Sequence, residues 1–425
     1  MSKKTTQIKK GINLHTIKTD IFKTNLVAVF LTTNLSRENV TKDALIPAIL
    51  RRGTQKFPTQ EDLSKALENM YGASFDCGIE KTGDNHVFKF YLEALNDNYI
   101  ENQEDLIGKT INALLEIVLN PYLEEKKFKK EYLESEKNKI KQIIEAKIDN
   151  KDLYALTRCT EEMFKGKPYS LYKYGYIEDL EKITLDEIYN YYLKLLNTCK
   201  IDVFVSGNIN EDKVIKIVGE NENILKLSER EPSFSINNEK TESKEKKEIK
   251  KFEEKMNINQ GKLVIGADIN VNDENTRFSA LLYNTILGDS ANSKLFQNVR
   301  EKEHLAYTAR SGYIKTKNCI FIRAGIEIEN YEKAIKVIKE QIEDMKNGNF
   351  TDVDIQNAKK YIISSIDSIQ EEQDTEITYY LGQELSDQFL TPEEYRKKIE
   401  NVSKEEIVEI AKNVSLNTIF FLRGV

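Results

Sequence analysis

The chain reads as an α+β protein of two homologous halves, each an antiparallel sheet covered by helices. Three observations carry this reading. Short apolar, β-branched runs alternate with long amphipathic stretches over the whole length. The same order of elements occurs twice. A charged stretch from Ser228 to Lys255, poor in apolar residues, separates the two copies. The expected division is a first lobe over 1–227, a linker over 228–255 and a second lobe over 256–425.

In the first half a strand falls near Leu26–Leu31, read as alternating and β-branched. A helix near Asp43–Arg51 follows, then a second over about Gln60–Met70. Thr59 suits the N-cap of the latter with Asp62 at the third helical position, and Gly72 suits its stop. Strands near Ser74–Ile79 and Val87–Leu95 come next. Amphipathic helices follow over about Glu101–Leu119 and Glu125–Phe164, the latter broken around Asp149-Asn150. A helix near Leu185–Leu196 leads to the strand Ile201–Ser206.

The second half repeats the order. A strand near Leu263–Ile269 precedes helices over about Glu274–Leu287 and Ser293–Glu301, joined by Gly288-Asp289-Ser290. Strands near Ala306–Ile314 and Ile320–Ile328 come next. Helices over Tyr331–Met345, Asp352–Gln388 and Lys404–Val414 lead to a last strand, Thr418–Leu422. The repeat is one of element order; the residues themselves match weakly.

Composition narrows the function. A chain of 425 residues exceeds one core, so two or three domains are expected. The formal charge is −7, with 63 basic against 70 acidic residues, which argues against nucleic acid as a partner. Cys77, Cys159, Cys199 and Cys319 lie far apart, so free thiols in a reducing compartment are expected. Met1–Lys10 is polar and basic with no apolar run behind it, and no stretch has the length of a membrane helix. Cytoplasmic localisation without membrane attachment is the expectation.

Three histidines exist, His15, His86 and His304, and no two are spaced for one helix face. His15 and His86 read as surface or strand residues. Tyr189-Asn190-Tyr191-Tyr192 reads as a helix face. Gly288-Asp289-Ser290 is not a phosphate cradle, because no Gly-Lys-Ser/Thr follows. No Ser/His/Asp, Cys/His or dense carboxylate cluster stands out.

Ala44-Leu45-Ile46-Pro47-Ala48, followed by Arg52-Gly53-Thr54, Leu63, Leu67, Tyr71, Gly72 and Ala73, resembles a segment of the M16 (pitrilysin / mitochondrial processing peptidase-like) metalloproteases. There the helix reads His-x-x-Glu-His ahead of Gly-Thr. Leu295-Phe296, then Arg300-Glu301-Lys302 and Leu305-Ala306-Tyr307, resembles the second-half signature of the same family. Gly166-Lys167-Pro168-Tyr169 through Gly175, and Val203–Ile209 with Gly207-Asn208, are similar to two further family segments. The resemblance spans nearly the whole chain. Within the family it is nearest the YfmF-like group, which lacks the zinc motif and is named for an association with 5-aminopentanol modification of elongation factor P.

The resemblance implies two M16-type lobes facing each other as a clamshell (a LuxS/metallohydrolase-like fold). It also implies lost chemistry. Ala44 and Ala48 take the places of the two zinc-binding histidines, and Pro47 that of the glutamate base. Alanine offers no lone pair and proline no base. Pro47 past the first turn would remove a helix hydrogen bond and kink the helix or delay its start. The third ligand position falls on Gln142 or Ile143, with Glu145 near but turned to another face. No catalytic residue, metal or cofactor is therefore expected.

Arg300 and Tyr307 match the family's substrate-holding pair. The plainer alternatives are that Arg300 caps a helix or pairs with a local glutamate, and that Tyr307 packs in the core. His304 stands where the family usually has glycine. The leading expectation is an inactive M16 homologue that joins an active, zinc-bearing sister subunit and helps position a peptide in the inter-lobe cavity. A homodimer, a stand-alone peptide-binding module and, last, a peptidase of altered chemistry are the alternatives.

Overall fold

In the computed structural model, residues 3–100, 104–232, 234, 248–271 and 273–425 are described. They form two compact units that are not continuous in sequence. The first unit comprises Met1–Ala146, Leu171–Ile236 and Gln370–Leu385; the second comprises Lys147–Ser170, Asn237–Ile369 and Ser386–Val425.

The first unit holds a six-stranded sheet in the spatial order Lys3–Lys9, Ile12–Lys18, Lys200–Gly207, Thr24–Asn34, Asn85–Leu95, Ser74–Thr82. Neighbours are antiparallel except Ile12–Lys18 beside Lys200–Gly207. The second unit holds five strands in the order Ala306–Ile314, Cys319–Ile326, Gly261–Ile269, Val414–Gly424, Lys250–Met256, of which the last pair is parallel. Both sheets are thus antiparallel-rich, each with one parallel pair. The long connections through helices allow parallel return, which a hairpin cannot.

Thr24–Asn34 does not alternate between buried and exposed positions; residues 25–32 are all buried. Val27, Val29 and Leu31 face one core, with Leu45, Ile49 and Leu114. Leu26, Ala28 and Phe30 face another, with Ile377, Tyr380, Leu381 and Leu385. A strand covered on both sides reads as a continuous apolar run. The helix that covers the second side, Gln373–Ser386, comes from the far half of the sequence.

The exchange is mutual. Helix Lys151–Met163, from the first half, packs Ala155, Cys159 and Met163 against Val264, Phe321, Phe420 and Leu422 of the second sheet. In both halves a long helical stretch breaks, in the first at the place expected around Asp149-Asn150 and in the second where one helix was expected. Glu125–Phe164 resolves into a hairpin of Leu123–Glu124 with Lys127–Phe128, then helices Lys130–Ala146 and Lys151–Met163. The break falls at 147–150, where the Asn150 side chain caps the Leu153 amide at 3.0 Å. Asp352–Gln388 resolves into helices Asp352–Asp367 and Gln373–Ser386. Each break passes the chain to the other unit.

Of the stretch 228–255, residues 250–255 lie in the strand Lys250–Met256, and 233 and 235–247 are outside the described residues. The strands Lys3–Lys9 and Ile12–Lys18 are further elements that the sequence reading did not reach. No helix among the described residues is long and apolar enough to cross a membrane.

Candidate functional site

The helix that aligns with the zinc helix runs Val40–Leu50, three residues earlier than expected, and continues through Pro47. Proline has no N–H, so the Asp43 carbonyl loses its intrahelical donor. Ala44 is buried and Ala48 half-buried. Gly53-Thr54 then turns the chain. The Thr54 hydroxyl accepts from the amides of Lys56 and Phe57 at 3.1 and 2.9 Å, and a Cβ on Gly53 would sit 2.4 Å from the Pro58 carbonyl oxygen.

Beside Ala44 the helix buries a charge that sequence reasoning missed. Asp43 is fully buried. One carboxylate oxygen lies 2.8 Å from His86 Nδ1, and the other accepts from the Tyr191 hydroxyl. Burial, and next the Asp43 charge, push the Tyr191 hydroxyl well above the usual tyrosine range. His86 and His15 lie on strands, as expected, but both are completely buried rather than at the surface.

The third-ligand region lies on helix Lys130–Ala146. Gln142, Ile143 and Glu145 are exposed. The buried acid on this helix is Glu136, which pairs with Arg52 at 3.3 Å and Lys139 at 2.8 Å. It serves as a packed ion pair. The donor set of this region, with two alanines, a proline and solvent-facing positions, does not fit zinc.

Among the described residues one trio carries ligand-type atoms within 4.8 Å of one another: His15, Asp202 and Glu384. It sits elsewhere in the first unit. Lys200 lies 3.2 Å from Asp202 and 3.3 Å from Glu384, and Lys3 also pairs with Glu384. His15 Nε2 lies 3.0 Å from Asp202, and its ring stacks on Phe204 at 4.3 Å. Two lysines on two carboxylates make this a balanced ion-pair network, which holds Glu384 of the exchanged helix against the sheet.

The second unit brings Arg300 and Tyr307 together. Phe296–Lys302 is a widened helical turn, in which the Glu303 amide reaches back to the Asn298 carbonyl at 3.1 Å. It presents the Arg300 guanidinium 4.7 Å from the Phe296 ring centre and 5.7 Å from that of Tyr307. Arg300 also pairs with Glu301 at 3.3 Å, as the plainer reading foresaw. Tyr307 does not enter the core; it is 74% exposed. It is the extra residue of a bulge, where Ala306 pairs with Ile326 and Thr308 with Gly325. His304 between them has φ +51°, the left-handed conformation that glycine adopts without strain. Arg300, Glu301, His304, Tyr307, Gln260 and Glu327 line an open cleft of about 430 Å³.

These features define the body of an M16-type peptidase without the residues of its zinc centre. The family model described as "Peptidase M16 inactive domain" matches residues 182–362. "Probable inactive metalloprotease YmfF" of Bacillus subtilis (strain 168) is 34% identical over 418 residues, 97% of this chain and 96% of that one. The chain belongs to the M16 peptidase family, as an inactive homologue. The subgroup expected from the sequence, YfmF-like, carries the name YmfF in this relative. "Uncharacterized zinc protease YmfH" of the same organism is 26% identical over 168 residues, 40% of this chain and 37% of that one. The crystal structure of a conserved protein from Enterococcus faecalis V583 has a TM-score of 0.89 and 28% identity, covering 100% of this chain and 99% of that one.

Proposed function

We propose that this chain is the non-catalytic member of a two-chain M16 assembly. It joins a subunit that keeps the zinc motif and helps hold that subunit's peptide substrate. The observation that carries this is the pairing of Arg300 with the exposed Tyr307 at an open cleft, in a chain whose Ala44, Pro47 and Ala48 supply no chemistry. A guanidinium and a phenol suit a peptide carboxylate and backbone carbonyls. Supporting it, the organism with the inactive relative YmfF also has the zinc protease relative YmfH.

The test is co-expression with the zinc-bearing homologue of the same organism, followed by size-exclusion chromatography and peptide hydrolysis. One co-eluting peak is expected, with hydrolysis dependent on the homologue's zinc motif. Arg300→Ala with Tyr307→Phe should raise KM of the pair by about tenfold. Two independent peaks would remove the assembly. Tight peptide binding by the lone chain would then favour a stand-alone peptide-binding module. Cytoplasmic localisation goes with this reading and is checked by cell fractionation.

A further inference from the structure

Arg310 and Arg323 stand directly opposite each other on the ladder between strands Ala306–Ile314 and Cys319–Ile326. Directly opposed residues project on one face with Cβ atoms about 5 Å apart, and like charges there are destabilising. Among the described residues neither guanidinium has a hydrogen bond or an ion pair. Asp152, which attracts Arg323 from a distance, is itself paired with Lys262 at 3.3 Å. Burial, reinforced by the Arg310 charge, lowers the Arg323 pKa. The sheet therefore holds two uncompensated positive charges together, where one neutral residue would be more stable.

The strand that carries Arg310 is the edge of its sheet. Its Tyr307, Thr308 and Arg310 are exposed. Beyond the ladder with Cys319–Ile326, no backbone hydrogen bond reaches residues 306–313 among the described residues. A free edge offers a row of donors and acceptors to an added strand. Such a strand would lie about 4.8 Å from Ala306–Ile314 and about 10 Å from Cys319–Ile326. A glutamate on it is within reach of both long arginine side chains.

We propose that an extended peptide bearing an acidic side chain docks along the Ala306–Ile314 edge, where Arg310 and Arg323 together receive its carboxylate. The proposal deepens the peptide-holding reading of the Arg300–Tyr307 cleft and rests on it; it adds a sequence preference and names the residues that set it.

The experiment uses the full chain and fluorescence anisotropy with two labelled probes. One is a short peptide alternating threonine and glutamate; the other has glutamine in place of each glutamate. The acidic probe should bind about tenfold tighter or more, and the preference should fade as salt is raised. Arg310→Gln with Arg323→Gln should abolish the preference and leave the glutamine probe unaffected. N-methylation of alternate amides should weaken both probes. In the peptide-free protein Arg310→Gln should raise the Tm, because a repulsion is removed. Equal affinity for the two probes, or a preference that survives the double variant, overturns the acidic site. Neither result touches co-elution with the zinc-bearing subunit, so failure here is distinguishable from failure of the assembly.

Discussion

Gln373 donates from Nε2 to the Ser206 carbonyl at 3.0 Å, tying a helix of the chain's second half to a strand of its first. The same side chain accepts from the Thr24 hydroxyl at 3.2 Å. At the far end of the helix Glu384 meets Lys3 and Lys200. The exchanged helix is therefore pinned by polar contacts at both ends and by Ile377, Tyr380 and Leu381 between them. Gln373→Ala leaves buried partners unmade and should cost about 1–3 kcal/mol. Urea unfolding monitored by circular dichroism measures it.

Asp202 is fully buried. Burial works to raise its pKa, but the His15 hydrogen bond and the Lys200 charge outweigh burial and hold it below 3.8. A carboxyl depressed in the folded state stabilises the fold above its unfolded pKa, and that contribution disappears as pH falls through the folded value. The Asp202 contribution should thus be complete at neutral pH and vanish only below about 3.8. Asp202→Asn removes one of the two carboxylates that balance Lys3 and Lys200 and should cost about 3 kcal/mol at pH 7. The gap between wild type and variant should narrow in strong acid.

Glu376 behaves oppositely. It is buried on the exchanged helix, and among the described residues neither carboxylate oxygen has a hydrogen-bond partner. Burial raises its pKa above 4.5. A raised carboxyl pKa means that the charged form weakens the fold at higher pH, and that acidification through the folded value relieves this. Glu376→Gln should therefore stabilise the protein by about 1 kcal/mol at pH 7, with the gain shrinking toward pH 4.5. Thermal melts at several pH values test the sign.

Gly175 has φ +74°, and a Cβ there would lie 2.1 Å from the Thr41 hydroxyl oxygen. That hydroxyl donates to Asp179 at 2.9 Å and accepts from the Tyr176 amide at 3.1 Å. Gly175→Ala must both strain the backbone and displace Thr41, so a loss of about 3 kcal/mol or more is expected. A melting temperature within one or two degrees of wild type would contradict this account.

Local chemistry was the legible part of the sequence. Thr59 and Asp62 form the expected capping box, with the Asp62 amide donating to the Thr59 hydroxyl at 3.1 Å. Strand Ala306–Ile314 has the expected limits. The replacement of the zinc-binding residues by Ala44, Pro47 and Ala48 was readable only through the resemblance to the M16 segments, which sets those positions against the family's histidines and glutamate. What escaped depends on partners distant in sequence. An amphipathic pattern says that Lys151–Met163 and Gln373–Ser386 have apolar faces, and not which sheet they cover. Lys250–Met256 carries Glu and Lys because it is an edge strand, and its charge reads as linker. Asp43, His86 and Tyr191 are far apart in sequence and meet only through folding.

The mutual helix exchange has a consequence for how the gene can be divided. The polypeptide passes between the two units after residues 146, 170, 236, 369 and 385. A cut in the charged middle stretch would strip each fragment of the segment that closes its own sheet, leaving a bare greasy face on both. The two lobes are laced rather than strung, so neither is a self-sufficient module. Loosening one of them loosens a helix lent to the other, and the whole chain should melt as a single cooperative body.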